Sequence, residues 1–152
     1  MYTIDTSIKV GAAPATVWEV IVHFAAYPEW NPFITRAEGT PVAGGVLTLE
    51  FHPPGGEVTT ARPTVRVVEA GRRLRWRGTL ALPWLFAAEH ELALTADGDG
   101  TLVRHREEFT GLLVPLVRRR LRQAEAGFHE MNRALKQRAE GYVSRTGSES
   151  TP

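Results

Sequence analysis

Hydrophobic positions in this chain switch between two periods. Tyr2, Ile4, Thr6, Ile8 and Val10 alternate with Thr3, Asp5, Ser7 and Lys9, the spacing of a strand with one buried face. Gly11 ends that run, and Ala13-Pro14 opens a helix, because a first turn tolerates proline. Val17, Trp18, Ile21, Val22 and Phe24 make this helix apolar on one side. It stops before Pro28, since the residue preceding a proline is pushed out of helical geometry. The next segment, Tyr27 to Phe33, carries Pro28 and Pro32 and leaves room for one short helical turn.

From Ile34 onward the period is two. Strands are expected near Ile34 to Glu38 and over Val46 to His52, with Leu47, Leu49 and Phe51 on one face. Thr59 to Glu69 follows, with Val65 and Val67 inward and Pro63 forcing an edge or a bulge. Arg72 to Gly78 places Leu74 and Trp76 inward against Arg73, Arg75 and Arg77. Glu89 to Ala96 and Thr101 to Gly111 form a last hairpin across Asp97-Gly98-Asp99-Gly100, a strong turn signal.

The final segment, Val114 to Tyr142, returns to helical spacing. Val117, Leu121, Ala124, Phe128, Met131, Leu135 and Tyr142 fall on one stripe, and charged residues cover the rest. At about 1.5 Å per residue such a helix is roughly 40 Å long and needs an apolar surface to lie on. The strands are the only candidate. The pattern therefore predicts an α+β fold. A curved antiparallel sheet of about seven strands wraps around a long C-terminal helix, with two short helices after the first strand. Residues 1–143 form a single domain, and the Ser-, Thr- and Gly-rich residues 144–152 are expected to be a disordered tail.

Composition narrows the function classes. The chain has 152 residues, 43% hydrophobic and 23% charged, with a net charge of +1. So small a charge gives little long-range reason to seek nucleic acid or anionic membrane. There is no cysteine, hence no disulfide, thiol nucleophile or cysteine metal site. The N-terminal residues alternate and do not show a basic start followed by an apolar core, which argues against a secretion signal. No apolar run approaches the roughly 20 residues of a membrane span. The expected location is the cytoplasm.

Several stretches together resemble the START-like (SRPBCC) superfamily, with its helix-grip fold, and within it the polyketide cyclase/dehydrase branch. They are Pro14-Ala15-Thr16-Val17-Trp18, Tyr27-Pro28-Glu29-Trp30-Asn31-Pro32-Phe33, Leu82-Pro83-Trp84-Leu85-Phe86 running into Glu89-His90-Glu91, Glu107-Glu108-Phe109-Thr110-Gly111, and Gly127-Phe128-His129-Glu130-Met131-Asn132-Arg133-Ala134-Leu135-Lys136. The resemblance implies a deep cavity between helix and sheet for a hydrophobic or aromatic small molecule. It does not choose among the lipid carriers, receptors, aromatases and cyclases that share the fold.

The residues themselves suggest what faces such a cavity. A four-residue turn at 97–100 pairs Ala96 with Thr101, Leu94 with Val103, Leu92 with His105, His90 with Glu107 and Ala88 with Phe109. His90, His105 and Glu107 then point inward among Leu92, Leu94, Val103 and Phe109. Ionisable groups on an apolar face are costly unless paired or wet. His90 and Glu107 are open to three roles: a structural pair, a polar anchor for a ligand, or a general acid/base with the carboxylate fixing the imidazole tautomer. The three groups also fit a facial metal triad, but no separate motif supports one, and no metal or other cofactor is expected.

Leu80 to Phe86 is an apolar, proline-containing connection. It either plugs the barrel end as core or forms a mouth, with Trp84 and Phe86 on one side and Trp30 and Phe33 on the other. Leu49, Phe51 and Trp76 are assigned to the sheet wall. Ala124, Phe128, Met131 and Leu135 are assigned to the helix wall, where small Ala124 and Gly127 leave space. Arg72, Arg73, Arg75 and Arg77 are a solvated outer face, and Arg118, Arg119, Arg120 and Arg122 open the long helix.

The expected function is binding of a hydrophobic or aromatic small molecule, lipid or polyketide-like. The alternatives are a cyclase/dehydratase using His90 and Glu107, and an interaction module like the Hsp90-activator branch, docking through Trp84-Leu85-Phe86. The expected partner is the small molecule, with no nucleic acid and no stable membrane insertion, in a monomer or homodimer.

Overall fold

A computed structural model describes residues 1–148. Strand β1 (Tyr2–Val10) leads into helix α1 (Pro14–Val22), a 3-10 turn (Phe24–Ala26) and the one-turn helix α2 (Tyr27–Trp30). Strands β2 (Ile34–Glu38), β3 (Thr48–Phe51), β4 (Thr59–Ala61), β5 (Thr64–Glu69), β6 (Arg73–Thr79), β7 (Ala87–Asp97) and β8 (Gly100–Thr110) follow. A 3-10 turn (Val114–Val117) then opens helix α3 (Arg118–Ser148). The strands pair antiparallel in the orders β1-β8-β7-β6-β5 and β2-β3-β4.

The α+β, helix-grip architecture agrees with expectation, and the departures have local causes. The strand expected over 59–69 is two strands, which gives eight among the described residues. Pro63 has no N–H for a ladder, and the chain bends there from one sheet to the other. The two sheets stay stitched together: Leu47 donates to the Pro63 carbonyl at 2.9 Å and Val65 to that of Gly45 at 2.8 Å. A bulge at Arg66 pairs Val65 with Trp76 and Val68 with Leu74, so Val68 and not Val67 packs on the core.

Helix α3 begins four residues later than the apolar pattern suggested, because Val114–Val117 winds as a tighter turn around Pro115. It runs on through residues 144–148, where a disordered tail was expected. Arg145 in its last turn suits the negative end of the helix dipole. Residues 149–152 lie outside the described residues. The buried stripe continues from Leu135 to Ala139, one turn on, whereas Tyr142 is 39% exposed and lies under the Arg138 guanidinium.

Gly127 does not leave a void. An added Cβ would sit 2.3 Å from the Phe33 ring, so the ring fills the notch that the glycine provides. Gly127→Ala is expected to destabilise the fold by about 2 kcal/mol, an overpacking cost of about 3 kcal/mol against the ring less the roughly 1 kcal/mol gain in helix propensity. The midpoint of urea unfolding checks this, and an unchanged or higher midpoint would mean that Phe33 moves aside freely.

Candidate functional site

The cavity occupies about 490 Å³ beneath the first turns of α3. The helix lies tight on the sheet over Phe128, Met131, Leu135 and Ala139, all fully buried. Nearer its start Val117, Leu121 and the small Ala124 side chain border the cavity. Phe33, Phe51, Trp76, Phe86 and Phe109 supply aromatic wall. Residues 59–63 and 78–80 border the space where the two sheets diverge. The volume and mostly apolar lining fall in the range of small-molecule sites, about 300–1,000 Å³.

Of the residues assigned to the site from sequence, Phe33, Phe51, Trp76, Phe86, Glu107, Phe109 and Ala124 border the cavity. Leu49, Leu92, Phe128, Met131 and Leu135 are solid core. His90 and His105 are also fully buried and lie behind the wall. Trp30 packs edge-on to Tyr27, 5.2 Å between centroids, and belongs to the hinge between helix and sheet. Asn31 shapes that hinge by accepting from the backbone N–H groups of Phe33 and Ile34 at 3.0 and 2.8 Å. Trp84 is 61% exposed and turns away from the cavity.

The 80–86 loop therefore divides its residues. Leu80 and Phe86 face the cavity, while Leu82 and Trp84 face outward. It is pinned to the start of the last segment by bonds from Leu112 N–H to the Trp84 carbonyl and from Leu113 N–H to the Leu85 carbonyl, at 3.2 and 3.1 Å. The loops approach so closely at Gly111 that a Cβ there would lie 2.5 Å from the Leu85 oxygen. Across the opening, Gln123 donates to the Gly55 carbonyl at 2.8 Å and Arg120 pairs with Glu57 at 3.1 Å, tying the 53–57 turn to α3.

The hairpin register is the one expected, with His90 opposite Glu107 and Leu92 opposite His105. His90 Nδ1 is 3.6 Å from Glu107 Oε2, and the two imidazoles meet Nε2 to Nε2 at 3.0 Å. His90 stacks on Trp76, at 4.2 Å and 9°, and His105 on Phe128, at 3.9 Å and 14°. Their nitrogens engage each other and Asn132, which is not the convergent arrangement of a metal triad. Among the described residues no group of three or more such side chains is arranged to hold a metal ion.

Two members of this cluster, Asn132 and Thr6, were missed in the sequence. Asn132 Oδ1 is 2.8 Å from His105 Nδ1, and its Nδ2 is 2.9 Å from Thr6 Oγ1. The signal was present: Asn132 lies four residues after Phe128 and three before Leu135, on the buried stripe of the helix.

Burial governs the charges. The Glu107 carboxyl is pushed up to about 8, because ionising it here forfeits hydration. His90 is pushed down to about 3 for the same reason, and His105 is held well below the usual imidazole value by burial and by His90. The cluster is therefore neutral near pH 7. The outer face is the reverse, with Arg75 bridging Glu91 and Glu89 at 2.9 and 3.2 Å and Arg77 reaching Glu89 at 3.5 Å.

This geometry defines the class as a helix-grip fold with a cavity between helix and sheet. The family model for polyketide cyclase/dehydrase and lipid transport matches residues 1–140, and the chain belongs to that family. Solved structures agree on the fold. The ZhuI aromatase/cyclase from Streptomyces sp. R1128 is 19% identical over 93% of this chain and 95% of its own, with a TM-score of 0.76. A START superfamily protein from Mycobacterium smegmatis is 19% identical over 93% and 99%, with a TM-score of 0.72. A Thalictrum norcoclaurine synthase point mutant, in complex with a transition-state analogue, is 14% identical over 93% and 96%, with a TM-score of 0.72. No curated protein matches the sequence. No helix among the described residues is long and apolar enough to cross a membrane.

The shifted groups set a pH dependence. Between the ordinary carboxyl value of 4.5 and about 8 the folded chain holds a Glu107 proton that the unfolded chain has lost, so stability falls as pH rises. His90 acts oppositely, adding stability as pH rises from about 3 to 6.5. His105, lowered likewise, acts in the same sense as His90. Above about 6.5 the Glu107 effect dominates this cluster. Relative to Glu107→Gln, the wild type should lose stability from there to about pH 8. The slope should approach about 1.4 kcal/mol per pH unit. Urea unfolding across that range checks it, and a flat difference would mean that Glu107 is already ionised when folded.

Proposed function

We propose that this protein binds a hydrophobic, aromatic small molecule between the first half of α3 and the sheet. The observation that carries this is a cavity of about 490 Å³ walled by aromatic rings, with one buried carboxyl, Glu107, among its lining residues. An interaction module that used the fold only as a scaffold would gain nothing from leaving that volume unpacked, because unfilled core costs stability. Membership of a family described by polyketide cyclisation, dehydration and lipid transport supports the same reading.

A second reading has its own observation. A carboxyl raised to about 8 beside His90 is a group able to donate or accept a proton near neutral pH, as a cyclase or dehydratase requires. In that case Glu107 is the group that touches substrate, and His90 acts from behind it.

Native mass spectrometry of gently purified protein should reveal bound small molecules released on denaturation. Ala124→Trp, which projects an indole into the cavity, should weaken binding of a fluorescent anilinonaphthalene probe more than about tenfold while leaving the melting temperature unchanged or higher. Undiminished probe binding in that variant would place the ligand elsewhere. Glu107→Gln separates the two readings, since a carrier keeps its function and an enzyme keeps binding but loses turnover.

A further inference from the structure

The polar chain behind the cavity has a direction, fixed at one end by a backbone carbonyl. Thr6 Oγ1 lies 3.0 Å from the His105 carbonyl oxygen, which can only accept, so the hydroxyl proton points there. Thr6 Oγ1 is then left to accept from Asn132 at 2.9 Å, which makes the facing amide atom Nδ2. The other amide atom is Oδ1, and His105 donates to it from Nδ1 at 2.8 Å. A neutral His105 protonated on Nδ1 carries a lone pair on Nε2. His90 Nε2, facing it at 3.0 Å, must donate. That leaves His90 Nδ1 as an acceptor, fully buried, without a hydrogen bond, and 3.6 Å from Glu107 Oε2.

Two lone pairs facing each other in a dry interior repel, and a proton between them makes the contact attractive. The Glu107 proton therefore belongs on Oε2, toward His90. Glu107 borders the cavity, and its second oxygen, Oε1, then has no proton and can only accept. Had the chain run the other way, His90 would donate to Glu107 and the proton of a neutral carboxyl would face the ligand. Asn132 and Thr6, which border no part of the cavity, decide between these outcomes.

We propose that the cavity recognises its ligand through a hydroxyl that donates to Glu107, and that Thr6, Asn132, His105 and His90 are positioning residues that set this polarity. The ligand class is an aromatic or conjugated molecule with a phenol- or enol-type hydroxyl. A bare carbonyl, an ether or a carboxylate would bring acceptor to acceptor. This deepens the proposed function and rests on the cavity being a ligand site.

The test titrates 2-naphthol, its methyl ether and 2-naphthoate into the purified protein. In the wild type the naphthol should bind at least about tenfold more tightly than the ether, the worth of one buried hydrogen bond. Glu107→Gln should keep that preference, because the amide N–H serves His90 Nδ1 and its C=O faces the cavity. Glu107→Met should lose it. Thr6→Val, nearly isosteric, frees the Asn132 amide to turn and should lower the naphthol-to-ether ratio several-fold, with the ether gaining affinity because a carboxyl proton can then face it. Nitrogen NMR of the imidazoles supplies a readout that a merely structural role would not move. It should find His105 protonated on Nδ1 and His90 on Nε2, and the Thr6→Val variant should lose this pattern. Equal binding of naphthol and ether, tighter binding of naphthoate, or a His90 proton on Nδ1 in the wild type would overturn the inference while leaving the cavity proposal standing. Failure of all three to bind would overturn both.

Discussion

The fit of α3 against the sheet governs this molecule. Its stripe is tightly seated at Phe128, Met131, Leu135 and Ala139, all fully buried. Nearer the start of the helix the small Ala124 borders the open space. The cavity is the consequence of a helix held firmly at one end and carrying a small residue at the other. Phe33 shares in the same constraint, since its ring packs against Phe128 and into the notch at Gly127 while another side of it borders the open space.

The polar cluster lies where the tight and open halves meet. A hydrogen-bonded chain of neutral groups across the helix–sheet boundary is tolerable in a dry interior because each link has a partner, and aromatic faces cover the rings. Its one incomplete end, His90 Nδ1, points at the only member that borders the cavity. Core packing and the polarity of the site are thus one arrangement, since Asn132 is both a residue of the α3 stripe and the group that orients His105.

The opening is built from different physics. The 53–57 turn is tied to α3 by exposed polar contacts, and the 80–86 loop is pinned by backbone bonds to the 112–113 segment. Exposed ion pairs such as Glu57–Arg120 are weak, about 0–1 kcal/mol. The rim is therefore softer than the barrel it closes, and motion that admits a ligand would begin there.

Alternation and helical spacing determined most of the architecture. The turn at 97–100 fixed the register of β7 on β8, because a one-residue slip would have turned Leu92, Leu94 and Val103 out to water, and with that register came the facing of His90, His105 and Glu107. Period alone says which face a residue occupies; it does not say how close the opposing surface comes. Hence Leu92, Met131 and Leu135, on the correct faces, are core and not cavity wall, and the space at Gly127 is taken by Phe33. The bulge at Arg66 and the break at Pro63 depend on which strands meet, and those partners lie far away in sequence. The direction of the Thr6–Asn132–His105–His90 chain was likewise beyond any linear pattern, because it is settled by a backbone carbonyl and four side chains that only the folded chain brings within hydrogen-bonding distance.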